Sequence, residues 1–319
     1  MNTFYHLPAA GNNSIKKHRQ AILLKDLLTL QQQGLRLSTQ KANLSMLAKM
    51  EAYAGYDISI KNINSEFCIG FAQFLLQSVQ VNSARTYLQK LHALLHNAVR
   101  LGYIPYNPMP PIADMIPKYK APEREYLDKK EIQKLENTEC PHTTTKLAFL
   151  FSCHTGLRIS DIETLTWGDI YRQGGKYIIS KIQVKTGIEV RIPIDAAAEK
   201  ILKQMQNGCI PKKNDLVFPL KSRTIISRDL EKWAKAAGIE KHVTFHVARH
   251  TFATLMITKK TDIYTVSQLC GHTNIQTTLV YVRLVDSARF EAVERLNELF
   301  GYSRCRESVK LLLPERRKG

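Results

Sequence analysis

The chain has 319 residues, of which 44% are hydrophobic and 23% are charged. This composition is that of a globular protein, and it excludes a disordered or fibrous chain. The length is enough for two domains, each with its own core. No apolar run approaches the roughly 18 residues of a membrane span, and the first residues do not resemble a secretory signal. We therefore expect a cytoplasmic protein with no membrane partner.

Positive charge is in excess throughout the chain. Lys and Arg number 46 and Asp and Glu 28, which gives a net charge of +18, and residues 1–120 and 121–319 contribute +8 and +10. The plain explanation of such an excess is solubility. Two basic domains joined by a linker instead favour a clamp around a long polyanion. The sequence thus predicts nucleic acid as the partner.

The cysteines indicate neither disulfides nor a metal site. All six are far apart, with no Cys-x-x-Cys pair: Cys68, Cys140, Cys153, Cys209, Cys270 and Cys305. This spacing predicts reduced thiols and argues against a zinc site. The sequence also has no evident carboxylate cluster for Mg²⁺, so we expect no metal and no cofactor.

The first predicted elements are helices, because apolar residues recur at three- and four-residue steps. We predict helices over 15–33, 38–54 and 65–79, and a fourth that ends before Gly102. Together they predict a small helical bundle over residues 1–104. Residues 105–123 contain six of the 12 prolines. Because proline fixes φ and removes an amide donor, we expect an extended linker there, between two domains.

The second domain, 124–300, is predicted to be mostly helical with one small antiparallel β-sheet. Two β-rich runs between Tyr177 and Ile194 flank the Gly-containing turn at Lys185–Ile188, which is typical of a β-hairpin. A turn at Gln173–Lys176 predicts a third strand. Helical patterns fill the rest of the domain: 128–136, 143–154, 195–206, 224–237, 247–258, 262–270, 274–283 and 287–300. A basic tail, 301–319, follows.

Four short motifs in the second domain carry side chains suited to binding an anion. Arg158 follows Gly156 and precedes Ser160-x-x-Glu163, which resembles a capping box; it therefore lies at a helix start, which favours anions. His246 and Arg249 share one helical face. Gly271-His272 ends a helix, and Tyr281 lies in the next apolar segment. Taken alone, each of these motifs more often has a structural role than a functional one.

Together these motifs resemble the tyrosine recombinase (phage integrase) family. The resemblance lies in the type, order and spacing of five elements: Arg158, the hairpin lysine Lys185, His246-x-x-Arg249, Gly271-His272 and Tyr281. It covers roughly residues 122–300. The first domain is similar to the family's SAM-like core-binding domain in size and helical content only. The resemblance implies a mainly α, multidomain fold with a mixed α/β catalytic domain that holds the small antiparallel sheet.

The resemblance also implies a role for each residue. Tyr281 would be the nucleophile that forms a covalent 3′-phosphotyrosyl link, while Arg158 and Arg249 hold the phosphate. His246 and His272 would donate hydrogen bonds or assist proton transfer. The general acid for the leaving 5′-oxygen would be Lys185, although Lys181 lies on the same hairpin. Asp161 would support the site, or only stabilise a helix start. His250 is expected to face the core or a hydrogen-bond partner.

The implied function is site-specific DNA recombination without metal or ATP, through integration, excision, inversion or dimer resolution. The implied partners are double-stranded DNA core sites of the inverted-repeat type, further copies of the chain in a tetramer on two duplexes, and accessory DNA-bending proteins at the bacterial nucleoid. A type IB topoisomerase-like enzyme and a catalytically silent DNA-binding regulator are the alternatives. The first predicted helix begins near residue 15, so no additional arm-binding domain is expected. The 287–300 helix is expected to dock on its own domain or on a neighbouring protomer.

Overall fold

A computed structural model of the protein describes residues 22–118 and 124–282. The chain divides into two units, Met1–Pro122 and Glu123–Gly319, each with its own hydrophobic core. None of the helices in the described ranges combines the length and apolar character needed to span a membrane. The predicted helix over 287–300, the tail 301–319 and the start of the helix predicted over 15–33 lie outside the described residues.

The first unit is helical, as the sequence predicts. Its core is lined by one face of the longest helix, where Leu88, Leu91 and Leu95 are fully buried. A 3-10 turn at Ile60–Asn62 separates the second and third helices. The helices are α1 (Leu24–Gln31), α2 (Leu37–Ala54), α3 (Ser65–Ser78), α4 (Val81–Arg100) and α5 (Ile112–Met115).

The proline-rich segment differs from the extended linker that the sequence predicts. Residues 105–118 include the short helix α5 and pack against the first unit, where Met109 and Ile116 are buried. The Ser65 hydroxyl donates to the Pro108 carbonyl at 2.7 Å. Proline restricts φ but leaves neighbouring apolar side chains able to enter a core, and it is tolerated at the start of a helix.

The second unit has eight helices and one three-stranded sheet in its described part. The sheet is antiparallel in the order β1-β2-β3, which confirms the predicted hairpin and third strand. Ile179 pairs with Ile192, and both face the core. The elements are α6 (Lys129–Asn137), α7 (Thr143–Thr155), α8 (Ile159–Ile162), β1 (Ile170–Gln173), β2 (Lys176–Ile182), β3 (Glu189–Pro193), α9 (Ala196–Gln206), α10 (Arg223–Ala236), α11 (Phe245–Thr258), α12 (Ile263–Cys270) and α13 (Gln276–Val282).

Two buried helices fix the position of the candidate site. The α7 and α11 helices pack on each other, and most of their side chains are removed from solvent. The Phe149 ring meets Trp233 and Phe245 edge-on, with centroids 5.8 and 5.9 Å apart. Such close packing resists rearrangement, so side chains that project from α11 have defined positions.

Replacing Gly156, which ends α7, by alanine is expected to destabilise the second unit by about 2 kcal/mol or more. Gly156 has a φ of +70°, and an added Cβ would lie 2.5 Å from Cδ1 of Phe252. Gly238, after α10, is a matched control, because its φ is +65° and its Cβ would meet open space. The free energies of unfolding of both variants, measured in urea, should differ by about 1 kcal/mol or more. Equal losses would contradict the predicted clash.

Candidate active site

Arg158 lies where the chain leaves α7 and enters α8. Its backbone is extended, and its N–H donates to Oδ2 of the fully buried Asp161 at 3.4 Å. Asp161 also accepts from the Val184 N–H at 2.8 Å, which ties the helix start to the β2–β3 turn. The predicted Ser160-x-x-Glu163 capping box is wrong, because Ser160 lies inside α8; Glu163 instead pairs with Arg223.

Arg249 lies in the interior of the second unit and is 1% exposed. Its Nη1 donates to the Gly156 carbonyl at 2.8 Å, and its Nη2 donates to the Cys270 carbonyl. These carbonyls belong to the ends of α7 and α12, so the guanidinium joins the two helix ends beside Arg158. Burial lowers the pKa of Arg158, and the positive charge of Arg249 lowers it further.

Gln183 connects the two arginines, and sequence analysis did not single it out. Its Oε1 accepts from Nη1 of Arg158, and its Nε2 donates to the Cys270 carbonyl at 2.9 Å, the same oxygen that Arg249 contacts. The two guanidinium groups, separated by about ninety positions in sequence, thus belong to one hydrogen-bonded network. They do not point into unrelated pockets.

The two hairpin lysines have different surroundings. Lys181 is engaged away from the arginines, because its Nζ contacts Asp169 at 2.7 Å and also the Thr164 carbonyl. Lys185 lies in the turn, and its positive charge contributes to lowering the pKa of His246. Of the two hairpin lysines, Lys185 is therefore the one whose charge acts on a residue of the candidate site.

Three histidines surround the arginines, and all three have lowered pKa values. Burial is the main cause for each, and the charges of Arg249 and Arg124 add to it. His246 is exposed, His272 is half-buried and His250 is buried. The pKa falls to about 4 for His246 and to about 3 for His250 and His272. In the absence of a bound anion the three imidazoles are therefore neutral at pH 7, which limits the charge repulsion within the site.

Tyr281 is enclosed by these groups and is only 1% exposed. Its hydroxyl lies 2.9 Å from Nδ1 of His250, and its ring stacks on His272 with the centroids 6.3 Å apart. His272 is oriented by Oγ1 of Thr278, 2.7 Å from its Nδ1. Burial raises the pKa of Tyr281, and nearby Cys270 adds to the rise, whereas Arg249 and Arg124 oppose it. Within this enclosure the phenol is neutral.

His250 and Arg124 are the other two residues that sequence analysis missed as part of the site. His250 had been assigned to the core or to a hydrogen-bond partner, and that partner is Tyr281. The Arg124 guanidinium lies 5.7 Å from the centre of the Tyr281 ring. Its position near the linker gave no local signal. The adjacency of His250 to Arg249 was the available signal for His250, since both project from α11.

The described residues contain no group of three or more His, Cys, Asp and Glu side chains placed to hold a metal ion. The five cysteines in the described ranges are free thiols, and burial raises the pKa of Cys153 and Cys270.

Comparison with known families gives the same assignment as the geometry. Residues 125–287 match the phage integrase family, a little over half of the chain, and residues 23–121 match the phage integrase SAM-like domain. The chain belongs to the phage integrase family. The family and the fold class that the sequence predicted, including the SAM-like first domain, are therefore confirmed.

Individual tyrosine recombinases are similar to this phage integrase family member over different lengths. XerA of Saccharolobus solfataricus is 32% identical over 183 residues, which cover 57% of this chain and 60% of XerA, less than two thirds of its length. A tyrosine recombinase of Thermosipho africanus is 27% identical over 81% of this chain and 93% of the relative. The crystal structure of a lambda integrase tetramer bound to a Holliday junction has a TM-score of 0.67 at 18% identity, over 86% of this chain and 81% of that one, which shows a shared fold.

For this phage integrase family member we expect the free energy of unfolding to decrease as the pH is lowered, because of the buried His250. His250 has a folded pKa of about 3 against an ordinary 6.5, so below pH 6.5 the unfolded chain binds a proton that the folded chain does not. Stability should drop between pH 6.5 and about 3, by up to about 1.4 kcal/mol per pH unit for this residue. Its neighbours are Arg124, His246, Arg249, His272 and Tyr281.

The measurement is urea unfolding of the wild type and His250→Gln between pH 7.5 and pH 4.5. The difference between the two isolates His250, because the other groups are common to both proteins. The wild type should lose stability more steeply below pH 6.5. Parallel pH profiles would contradict the low pKa of His250.

Proposed function

We propose that this tyrosine recombinase cleaves and rejoins DNA at a specific site through a covalent 3′-phosphotyrosyl intermediate. The observation that carries the proposal is the convergence of Arg158 and Arg249 on one hydrogen-bonded network beside Tyr281. Two planar, permanently charged groups in that arrangement suit the non-bridging oxygens of one phosphodiester.

The arginines would stabilise the negative charge that develops at phosphorus during the transfer. Their network is already formed in the protein alone, so the two arginines themselves need little reorganisation. His246 and His272 flank the same region and, in their neutral forms, each donates one ring N–H toward the phosphate oxygens. Bound phosphate would also raise the pKa of these histidines toward their ordinary range, since an anion favours the protonated form.

Tyr281 would attack phosphorus and release the 5′-oxygen, and its phenol proton would pass to Nδ1 of the neutral His250, which lies 2.9 Å from the hydroxyl. The bond to phosphorus passes from that oxygen to the tyrosine oxygen, so the energy of the phosphodiester is kept for rejoining. Lys185 would supply the proton that the leaving oxygen takes, and its positive charge near His246 supports this role. Because Tyr281 is 1% exposed, α13 must shift before its hydroxyl reaches a phosphate. Asp161 would orient Arg158 through their backbone contact.

The proposed partner is double-stranded DNA, and the excess of 18 positive charges supports it. The lambda integrase of the comparison is a tetramer on a Holliday junction. We extend the same assembly on two duplexes to this chain, with core sites of inverted-repeat type and a location at the bacterial nucleoid. Accessory DNA-bending proteins belong to the same proposal. The docking of residues 287–300, in cis or in trans, stays a prediction, because that segment lies outside the described residues.

The test is to recover and sequence the DNA ends that the protein holds covalently in cells. The proposal expects one defined sequence joined through its 3′ phosphate, and purified protein should exchange strands between two copies of that sequence. Relaxation of any supercoiled plasmid without exchange would favour the topoisomerase alternative. Binding without a covalent product would favour the DNA-binding regulator. The predicted boundaries of the four segments, 1–104, 105–123, 124–300 and 301–319, are tested separately by limited proteolysis on and off DNA.

A further inference from the structure

One buried side chain, Gln183, uses both ends of its amide within the candidate site. It is 1% exposed, and its Oε1 accepts hydrogen bonds from Nη1 of Arg158 and from the Thr186 hydroxyl, the latter at 2.9 Å. Its Nε2 donates to the Cys270 carbonyl at 2.9 Å. A buried amide with its donor and acceptor both paired holds its position strongly, because the loss of either partner leaves a buried polar group unpaired.

Gln183 lies between the two arginines in the network. The Cys270 carbonyl that it contacts also accepts from Nη2 of Arg249. The path from one guanidinium to the other is therefore Arg158, Gln183, the Cys270 carbonyl and Arg249. The side chain of Gln183 thus contributes to the spacing of the two positive groups, together with the Gly156 carbonyl that also holds Arg249.

Gln183 also closes the turn that carries Lys185. Its N–H donates to the Ile188 carbonyl at 2.9 Å, and its own carbonyl accepts from the Gly187 N–H at 2.8 Å. The side chain of Thr186, next to Lys185, contacts its amide oxygen. The base of the turn is consequently fixed to the arginines and to the end of α12.

The neighbouring backbone leaves room for this amide. Gly271 has a φ of +62°, and a Cβ added there would lie 2.6 to 2.7 Å from the amide atoms of Gln183. Any side chain at position 271 would displace the glutamine. The Gly271-His272 motif therefore has two functions, since it ends α12 ahead of His272 and admits Gln183 beneath the arginines.

We propose that Gln183 is a positioning residue for phosphoryl transfer, which sets the spacing of Arg158 and Arg249 and anchors the turn of Lys185. This inference depends on the proposed function. Gln183 itself would not touch the reacting atoms. It would act by holding three charged groups in one arrangement before DNA binds.

The experiment compares Gln183→Ala and Gln183→Glu with Gln173→Ala, an exposed glutamine on the same sheet, as the matched control. The glutamate variant keeps the size of the side chain and its hydrogen-bond acceptor but cannot donate to the Cys270 carbonyl. It therefore tests the proposal even if the alanine variant folds poorly. The substrate is a nicked duplex that carries the sequence recovered from wild-type covalent complexes. DNA affinity, thermal unfolding and the single-turnover rate of covalent complex formation are measured for each protein.

A second substrate separates the two effects of Gln183. In a duplex with sulfur in place of the bridging 5′-oxygen, the leaving thiolate needs no proton, because thiols are far more acidic than alcohols. Lys185→Ala should regain the wild-type rate on this substrate. Gln183→Ala should be about 10- to 100-fold slower than wild type on the ordinary duplex, with little change in DNA affinity, and should regain only part of that loss with sulfur.

Three results would overturn the inference. A wild-type rate in both folded Gln183 variants would mean that the residue positions nothing. Full recovery of Gln183→Ala on the sulfur substrate would exclude an effect on the arginines, and no recovery would exclude an effect on the turn. Absence of any covalent complex with wild-type protein would be a different result, since it would contradict the proposed function itself.

Discussion

Replacing Tyr281 by phenylalanine is expected to abolish the covalent protein–DNA complex while DNA binding and folding are retained. The change removes only the phenol oxygen, and the ring keeps its stacking on His272 and its place in the core. Without that oxygen no bond to phosphorus can form, so the loss should be complete rather than partial. The measurement is the yield of detergent-resistant complex on a nicked duplex from which the cleaved strand end is lost.

A tyrosine elsewhere in the same unit provides the control. Tyr264 lies on α12 and is 62% exposed, so Tyr264→Phe should trap DNA at the wild-type level. Loss of the contact between the Tyr281 hydroxyl and Nδ1 of His250 will also ease the exit of the ring, which a small decrease in thermal stability would report. Undiminished trapping by Tyr281→Phe would refute Tyr281 as the nucleophile.

Replacing Arg158 by lysine is expected to slow covalent complex formation by about 100- to 1,000-fold. Lysine keeps the positive charge but lacks the planar fork, so it cannot contact Gln183 and two phosphate oxygens together. The loss should lie in the rate of the chemical step, measured by single-turnover cleavage at saturating protein. The affinity for DNA should change much less, because one contact among many phosphate contacts is altered.

Arg191 is the matched control for Arg158, because it is an arginine of the same unit whose side chain is 69% exposed. Arg191→Lys should cleave at the wild-type rate. If Arg158→Lys also cleaved at the wild-type rate, Arg158 would not stabilise the transition state. An equal loss in both variants would point to a general effect of surface charge instead.

Most elements of the fold follow from local patterns. The hairpin is predicted because β-rich runs alternate around a glycine turn. Strand β3 lies within the predicted range, Tyr177 to Ile194, and β2 begins one residue before it, at Lys176. Glycine predicts helix ends because it tolerates a positive φ, and Gly156 and Gly271 both have a left-handed backbone conformation in the structure. The segment 105–118 was predicted less well, because proline content describes the backbone and not the burial of Met109 and Ile116.

The candidate site was predicted in part. Arg158, Arg249, His246, His272 and Tyr281 belong to motifs whose spacing matches a family, and the structure brings their side chains into one region. Gln183 and Arg124 belong to no such motif. Their contacts join residues that are distant in sequence. Gln183 and Cys270, for example, are separated by 87 positions. Nothing in the local sequence separates such a glutamine from an exposed one.

The sequence alone determined the family and the order of the elements, and it supplied the candidate active-site side chains, because these depend on residue type and short-range spacing. Only the tertiary structure decided that the Tyr281 hydroxyl contacts His250, that Asp161 connects α8 to the β2–β3 turn, and that Gln183 joins the two arginines. These contacts depend on how α7, α11, α12 and the hairpin pack together. Packing sets distances between residues far apart in the chain, and no local pattern encodes those distances.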